Sequence, residues 1–309
     1  VFFYYKNFAK LACSFQTSFT KNQKTMRKIL YVCCLFICSK IVTAQVPTTV
    51  YLWEKGSPND VSTPKSERPR IDIYLPKKKL KNGQMVLICP GGGYSNVSEE
   101  KEGSKVARLL NQQGIAAAVL FYRYKPHLFP APYADATRAL RLLRQDAAKY
   151  GFKPDNIVLM GFSAGGHLAS TVGTQPELYK DPQDDLANSV SARPDRLVLC
   201  YPVISFLEYA HKGSRTSLLG TESDSTQWKA FSNHLNVTKN TPPTFLFHTS
   251  PDKSVPLQNS LLFASACAEH DVPVTLHVYP VGGHGVGLAL DNPILKNWSE
   301  LLVSWLKNE

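Results

Sequence analysis

From residue 48 onward, short apolar runs alternate with segments of helical period. The runs at 85–89, 115–121 and 157–160 are almost wholly apolar and too short for buried helices, which is the pattern of strands covered on both faces. Residues 49–53, 71–75, 196–201, 244–248 and 274–279 supply five further candidate strands. Helices are predicted at 99–111, stopped by Gly114, at about 166–173, and at 293–306. Another opens near Pro132, repeats Ala136, Ala139, Leu140, Leu143 and Ala147 at helical spacing, and ends at Gly151. Asp135, Arg138 and Arg141 fall off that stripe and are expected on a solvated face. The alternation predicts an α/β protein, a mostly parallel sheet of about eight strands with helices on both faces. Residues 202–243 are polar and aperiodic, and a stretch of that length is expected to cover a functional face.

Composition narrows the picture. A chain of 309 residues that is 43% hydrophobic and 19% charged is neither disordered, collagenous nor a coiled coil. Its net charge of +11 is concentrated at one end, because Lys6, Lys10, Lys21, Lys24, Arg27, Lys28 and Lys40 precede residue 45 with no acidic residue among them. The remainder is close to balanced, so nucleic acid is not expected as a partner. Met26-Arg27-Lys28, the apolar stretch 29–38 and Val42-Thr43-Ala44 before Gln45 have the three parts of a secretory signal peptide at 26–44. Residues 1–25 are then expected to be an upstream extension and 45–309 a single domain, secreted or periplasmic, with no stable membrane insertion after signal removal. Cys89, Cys200 and Cys267 of that domain are too scattered for a disulfide scaffold or a zinc site and are expected as buried apolar groups. Neither metal nor organic cofactor is expected.

The chemistry is carried by Gly161-Phe162-Ser163-Ala164-Gly165, a G-x-S-x-G match between a predicted strand and a predicted helix. In that setting the glycines are expected to permit a strained turn that lifts the Ser163 hydroxyl above the sheet edge. A serine hydroxyl is a weak nucleophile until a base takes its proton, and the base needs an acid to orient it. Asp252 follows the strand at 244–248 and His284 follows the strand at 274–279, so both fall beyond the carboxyl ends of parallel strands, where such sheets build sites. The other histidines are expected to be structural or solvated, His248 as a candidate to orient the Asp252 loop. Gly91-Gly92-Gly93 follows the strand at 85–89, and the Gly92, Gly93 and Ala164 amides are candidate oxyanion donors.

These motifs, Cys89-Pro90-Gly91-Gly92-Gly93-Tyr94, the segment 161–169 and Gly282-Gly283-His284-Gly285, resemble those of α/β-hydrolase serine esterases. In particular they are similar to those of secreted bacterial acetylxylan and feruloyl esterases. The resemblance implies a carboxylesterase acting on acetylated or feruloylated carbohydrate. It departs from lipase-like relatives at Pro90, where those carry His, and at Pro251, where many carry a second acidic residue. A feruloyl or general aryl esterase stays open, as does, in another class, a non-catalytic binding protein on a hydrolase fold. Tyr94, Tyr122 and Trp228 are candidates for substrate contact, with a place in the core as the alternative for each.

Overall fold

The structure, a computed structural model, describes residues 46–53, 68–77 and 83–308. The expected extension 1–25 and signal peptide 26–44 lie outside these residues. Pro47–Glu309 forms one compact unit. Its sheet has eight strands: β1 (Thr48–Tyr51), β2 (Arg70–Tyr74), β3 (Met85–Cys89), β4 (Ala116–Phe121), β5 (Ile157–Phe162), β6 (Arg196–Cys200), β7 (Thr244–Thr249) and β8 (Val274–Tyr279). They lie in the order β1-β2-β4-β3-β5-β6-β7-β8. The β1–β2 and β2–β4 pairs are antiparallel, and β4 through β8 are parallel.

Among the described residues eight α-helices join or follow the strands: α1 (Lys105–Gln112), α2 (Ala131–Gln145), α3 (Ala147–Tyr150), α4 (Ser163–Thr174), α5 (Lys212–Leu219), α6 (Ser225–Ala230), α7 (Gln258–Glu269) and α8 (Trp298–Asn308). Successive strand side chains point to opposite faces, and the apolar core accordingly divides in two. Leu87, Leu159, Leu199 and Leu246 pack with α2, α4 and α7, while Val86, Ile88, Val158 and Phe247 pack with α1 and α8. Every residue of β3, β5, β6 and β7 is buried, which is why their sequences run apolar without alternation.

Four expectations need correction. Helix α4 starts at Ser163 itself, with no loop between strand and helix. The last helix starts at Trp298 because the Asn292 side chain accepts from the Ile294 and Leu295 amides and holds the preceding residues in turns. Residues 202–243 are structured, with α5, α6 and a 3₁₀ turn Asn233–Asn236, and they bury Val203, Ile204, Phe206 and Leu218. Elements this short repeat too few apolar positions to show a period. Finally, Asp135, Arg138 and Arg141 are buried, since α2 packs on more than one side and meets charges from distant loops. Arg123 pairs with Asp135 at 2.8 Å, and Asp184 pairs with Arg138 at 2.7 Å and Arg141 at 2.6 Å. No helix among the described residues is long and apolar enough to cross a membrane.

Candidate active site

The carboxyl ends of the parallel strands align at one edge: Cys89 lies beside Gly161, Phe162 beside Cys200, and Thr249 beside Tyr279. The loops leaving β3, β5, β7 and β8 therefore converge, and they bring together the three residues the sequence places after strand ends. Ser163 Oγ is 2.7 Å from His284 Nε2, and His284 Nδ1 is 2.6 Å from Asp252 Oδ2. An ionised Asp252 only accepts, so His284 carries its proton on Nδ1 and offers the Nε2 lone pair to the Ser163 hydroxyl. The Asp252 side chain is fully buried, while that of His284 keeps 24% of its surface exposed. Burial pushes the Asp252 carboxyl up, but His248, His284 and the Val255 N–H more than offset it and hold the group well below the usual carboxylate range. Its Oδ1 accepts from the Ser254 and Val255 amides at 2.9 Å each.

The turn at Ser163 has a different basis from the one expected. The strain is carried by Ser163 itself, at φ +53°, after an extended Phe162. The glycines provide close approach: a Cβ on Gly165 would lie 2.1 Å from the Cys89 carbonyl oxygen, and one on Gly161 would lie 2.2 Å from that of Gly165. Gly92 needs both, since φ is +134° and a Cβ there would strike the Asn96 carbonyl. Neither the Gly92 nor the Gly93 N–H enters a hydrogen bond among the described residues. Ala164 is the second residue of α4, where amides lack an intrahelical acceptor. Ala164 directly follows the nucleophile, a Cβ on Gly91 would lie 2.9 Å from that of Ser163, and the positive end of α4 lies at the same place.

The remaining candidates separate. Tyr94 and Tyr122 are core residues, 1% and 2% exposed, with hydroxyls committed to His167 Nδ1 and to the Pro90 carbonyl. They support the glycine loop from beneath. Trp228 is part-buried, stacked under the Arg215 guanidinium at 3.6 Å, and donates to Ser223 Oγ. His248 braces the Asp252 loop as expected, with Nε2 2.9 Å from the Val255 carbonyl oxygen and Nδ1 2.7 Å from Ser260 Oγ. Buried His167 donates from Nε2 to the Phe231 carbonyl and stacks on Phe206, tying residues 202–243 to α4. Among the described residues no three His, Cys, Asp or Glu side chains converge to hold a metal.

Sequence reasoning missed three residues here. His211, expected as structural or solvated, caps α5 by accepting from the Ser214 amide and also borders the site, its Cε1 4.0 Å from where a Cβ on Gly93 would sit. Burial, and repulsion from His284 whenever that ring is protonated, hold its imidazole below the ordinary value, against the opposing effect of Asp252. Glu102 and Tyr201 are buried directly behind the glycine loop and His284, and nothing in their sequence surroundings marks them.

Fold and site together define a serine hydrolase of the α/β-hydrolase class. Within that class the chain belongs to the BD-FAE family, whose profile matches residues 71–267 and so includes Ser163 and Asp252. Several of its relatives are proteins named as esterases. It is 36% identical over 235 residues to endo-1,4-beta-xylanase B of Butyrivibrio fibrisolvens, covering 75% of this chain and 36% of that protein. With an acetylxylan esterase of Xylanibacter ruminicola it shares 32% identity over 252 residues, 78% of this chain and 48% of the relative. The chain thus spans half or less of the length of these curated relatives. Among solved structures, the acetyl ester-xyloside bifunctional hydrolase of Caldicellulosiruptor lactoaceticus superposes with a TM-score of 0.75 at 42% identity, covering 86% of this chain and 97% of that one.

Proposed function

We propose that this protein is a serine carboxylesterase that removes short acyl groups, acetyl above all, from plant polysaccharides or oligosaccharides. The observation that carries the reading is the unbroken Ser163–His284–Asp252 hydrogen-bond chain at the carboxyl edge of the sheet. His284 Nε2 takes the Ser163 proton as Oγ attacks the ester carbonyl, and the resulting imidazolium is stabilised by buried Asp252. The Gly92, Gly93 and Ala164 amides receive the oxyanion, where loss of one donor costs about a hundredfold in rate. His284 then gives the proton to the sugar oxygen as its bond to the acyl carbon breaks, so that it leaves as a hydroxyl, and water cleaves the acyl-enzyme with His284 again as base and then acid.

The carbohydrate alcohol is supported by the relatives named for xylan and xyloside chemistry. An aromatic acyl pocket is the weaker reading, because Tyr94 and Tyr122, two of the five rings that could line it with Tyr124, Phe129 and Trp228, lie in the core. Export to the periplasm or beyond belongs to the same proposal and rests on the tripartite pattern at 26–44, which calls for a mature chain starting at Gln45. Comparing acetate with octanoate p-nitrophenyl esters, and assaying acetate released from acetylated xylan, tests the substrate class. Acetate is expected to be turned over faster than octanoate, since each methylene would add about 0.8 kcal/mol only if an apolar channel received it. Faster octanoate turnover, or no acetate released from acetylated xylan, would contradict it.

A further inference from the structure

Directly before α1 the chain makes a wide π-helical turn, Glu99–Ser104, of the kind that often accompanies functional sites. Its first three residues are exposed and Glu102 turns inward, to 4% exposure. Gly103 seats the turn against β4, where a Cβ would lie 2.9 Å from Val119 Cγ1. The buried carboxyl group then spends its two oxygens in different directions. Oε2 accepts the Gly91 N–H at 2.9 Å, and Oε1 accepts the Tyr201 O–H at 2.8 Å. The Tyr201 oxygen in turn accepts the Gly287 N–H at 2.9 Å, three residues past His284, and its ring stands edge-on to the His284 ring at 5.2 Å.

Resting on the triad reading above, we propose that Glu102 is a positioning residue that fixes the glycine loop and the histidine loop at one spacing about Ser163. The Gly91 amide is the one amide of the glycine run with a hydrogen-bond partner among the described residues, and anchoring it orients the next two peptides, whose N–H groups remain unpaired there. There is no slack in this contact. A Cβ at Gly91 would lie 2.8 Å from Glu102 Oε2 and 2.9 Å from Ser163 Cβ, so carboxyl, loop and nucleophile already touch. On the other side Tyr201 holds φ +36° at the end of β6, a strained conformation whose consequence is that its hydroxyl reaches both Glu102 and the histidine loop. Purely structural burial would favour a guanidinium partner, as Asp135 and Asp184 have, whereas Glu102 forms no ion pair among the described residues. One of its bonds goes directly to the glycine loop, and the other reaches the histidine loop through Tyr201.

The test uses Glu102→Gln and Tyr201→Phe in the full chain, with active sites titrated so that only folded, competent enzyme is counted. Glutamine keeps the volume but turns one acceptor into a donor that faces either the Gly91 N–H or the Tyr201 hydroxyl already engaged by Gly287. Misplacement on the order of 1 Å costs roughly a hundredfold, so kcat on p-nitrophenyl acetate should fall by about that factor in Glu102→Gln while KM moves little. Affinity for a boronic acid, which captures the nucleophile and engages the oxyanion donors, should fall in parallel. Tyr201→Phe cuts the histidine side alone and should lower kcat less, and the double variant should be no worse than Glu102→Gln. A kcat within about threefold of wild type in Glu102→Gln, or effects of the two changes that multiply, would overturn the proposal. Should Glu102→Gln not fold, a wild-type kcat in Tyr201→Phe overturns it instead. Full activity in Ser163→Ala would be a separate result, against the triad reading itself.

Discussion

Two regions of this protein bury charge, and they do it in opposite ways. Beside α2, Asp135 and Asp184 face the guanidinium groups of Arg123, Arg138 and Arg141. Trp53 Nε1 also donates to Asp135, and the Leu52 carbonyl accepts from Arg138 Nε. Arg138 also pairs with Asp185, which brings the network to three charges of each sign, and arginine stays protonated in a protein, so the network is chemically inert. At the sheet edge, Asp252 is just as buried, but its partners are two imidazoles and two backbone amides, and His284 retains an open edge. Imidazole is the side chain that gains and loses a proton near neutrality. Buried charge by itself therefore does not mark a site; a partner able to move a proton, with one face left accessible, does.

That contrast can be broken most sharply by substitution. Ser163→Ala and His284→Ala should each reduce kcat on p-nitrophenyl acetate by about a millionfold and Asp252→Asn by about ten-thousandfold, with the amide at 252 failing to hold the required imidazole tautomer. Thermal unfolding of Ser163→Ala and His284→Ala should stay close to wild type. Asp184→Ala should do the reverse. It leaves Arg138 and Arg141 buried together without their shared counter-charge, a loss of about 3–5 kcal/mol in urea unfolding, while kcat per titrated active site is unchanged. If Asp184→Ala lowered kcat at constant stability, the two regions would not be distinct.

A smaller effect sharpens the same line through a buried imidazole that is not catalytic. Burial lowers the His167 pKa to about 4 from 6.5, against the hydrogen bond to the Phe231 carbonyl that favours the charged form. The folded state thus resists a proton that the unfolded chain accepts. Its contribution is complete above about pH 6.5 and is lost as pH falls toward 4, by up to about 3 kcal/mol. Urea unfolding at pH 7 and pH 4.5 should show a steeper acid-side loss in wild type than in His167→Asn. Equal slopes would mean that His167 is not held neutral.

Much of this was legible from residue order, for physical reasons that also explain what was not. Strands buried on both faces write themselves as apolar runs, so β3 appears with its bounds intact, whereas β8, a mostly half-buried edge strand, appears through its β-branched and aromatic residues. Ser163, Asp252 and His284 each sit just beyond a strand, and the chemistry restricts which residue types serve. The α2 charges were misread because a counter-charge 46 residues away, as for Arg138 and Asp184, leaves no local trace. Glu102 and Tyr201 are 99 residues apart and were invisible for the same reason. Tyr94 and Tyr122 belong to the core beneath the loop, and an aromatic residue near a motif reads alike whether it faces solvent or not.

The central claim, that Ser163 receives the acyl group, is tested most directly by rapid acid quench of the protein during turnover of p-nitrophenyl acetate, followed by peptide mass spectrometry. A single acetyl group on Ser163, absent when His284 is replaced by Ala, is the predicted result. Turnover with Ser163 unmodified, or acetylation at another residue that tracks the rate, would contradict it.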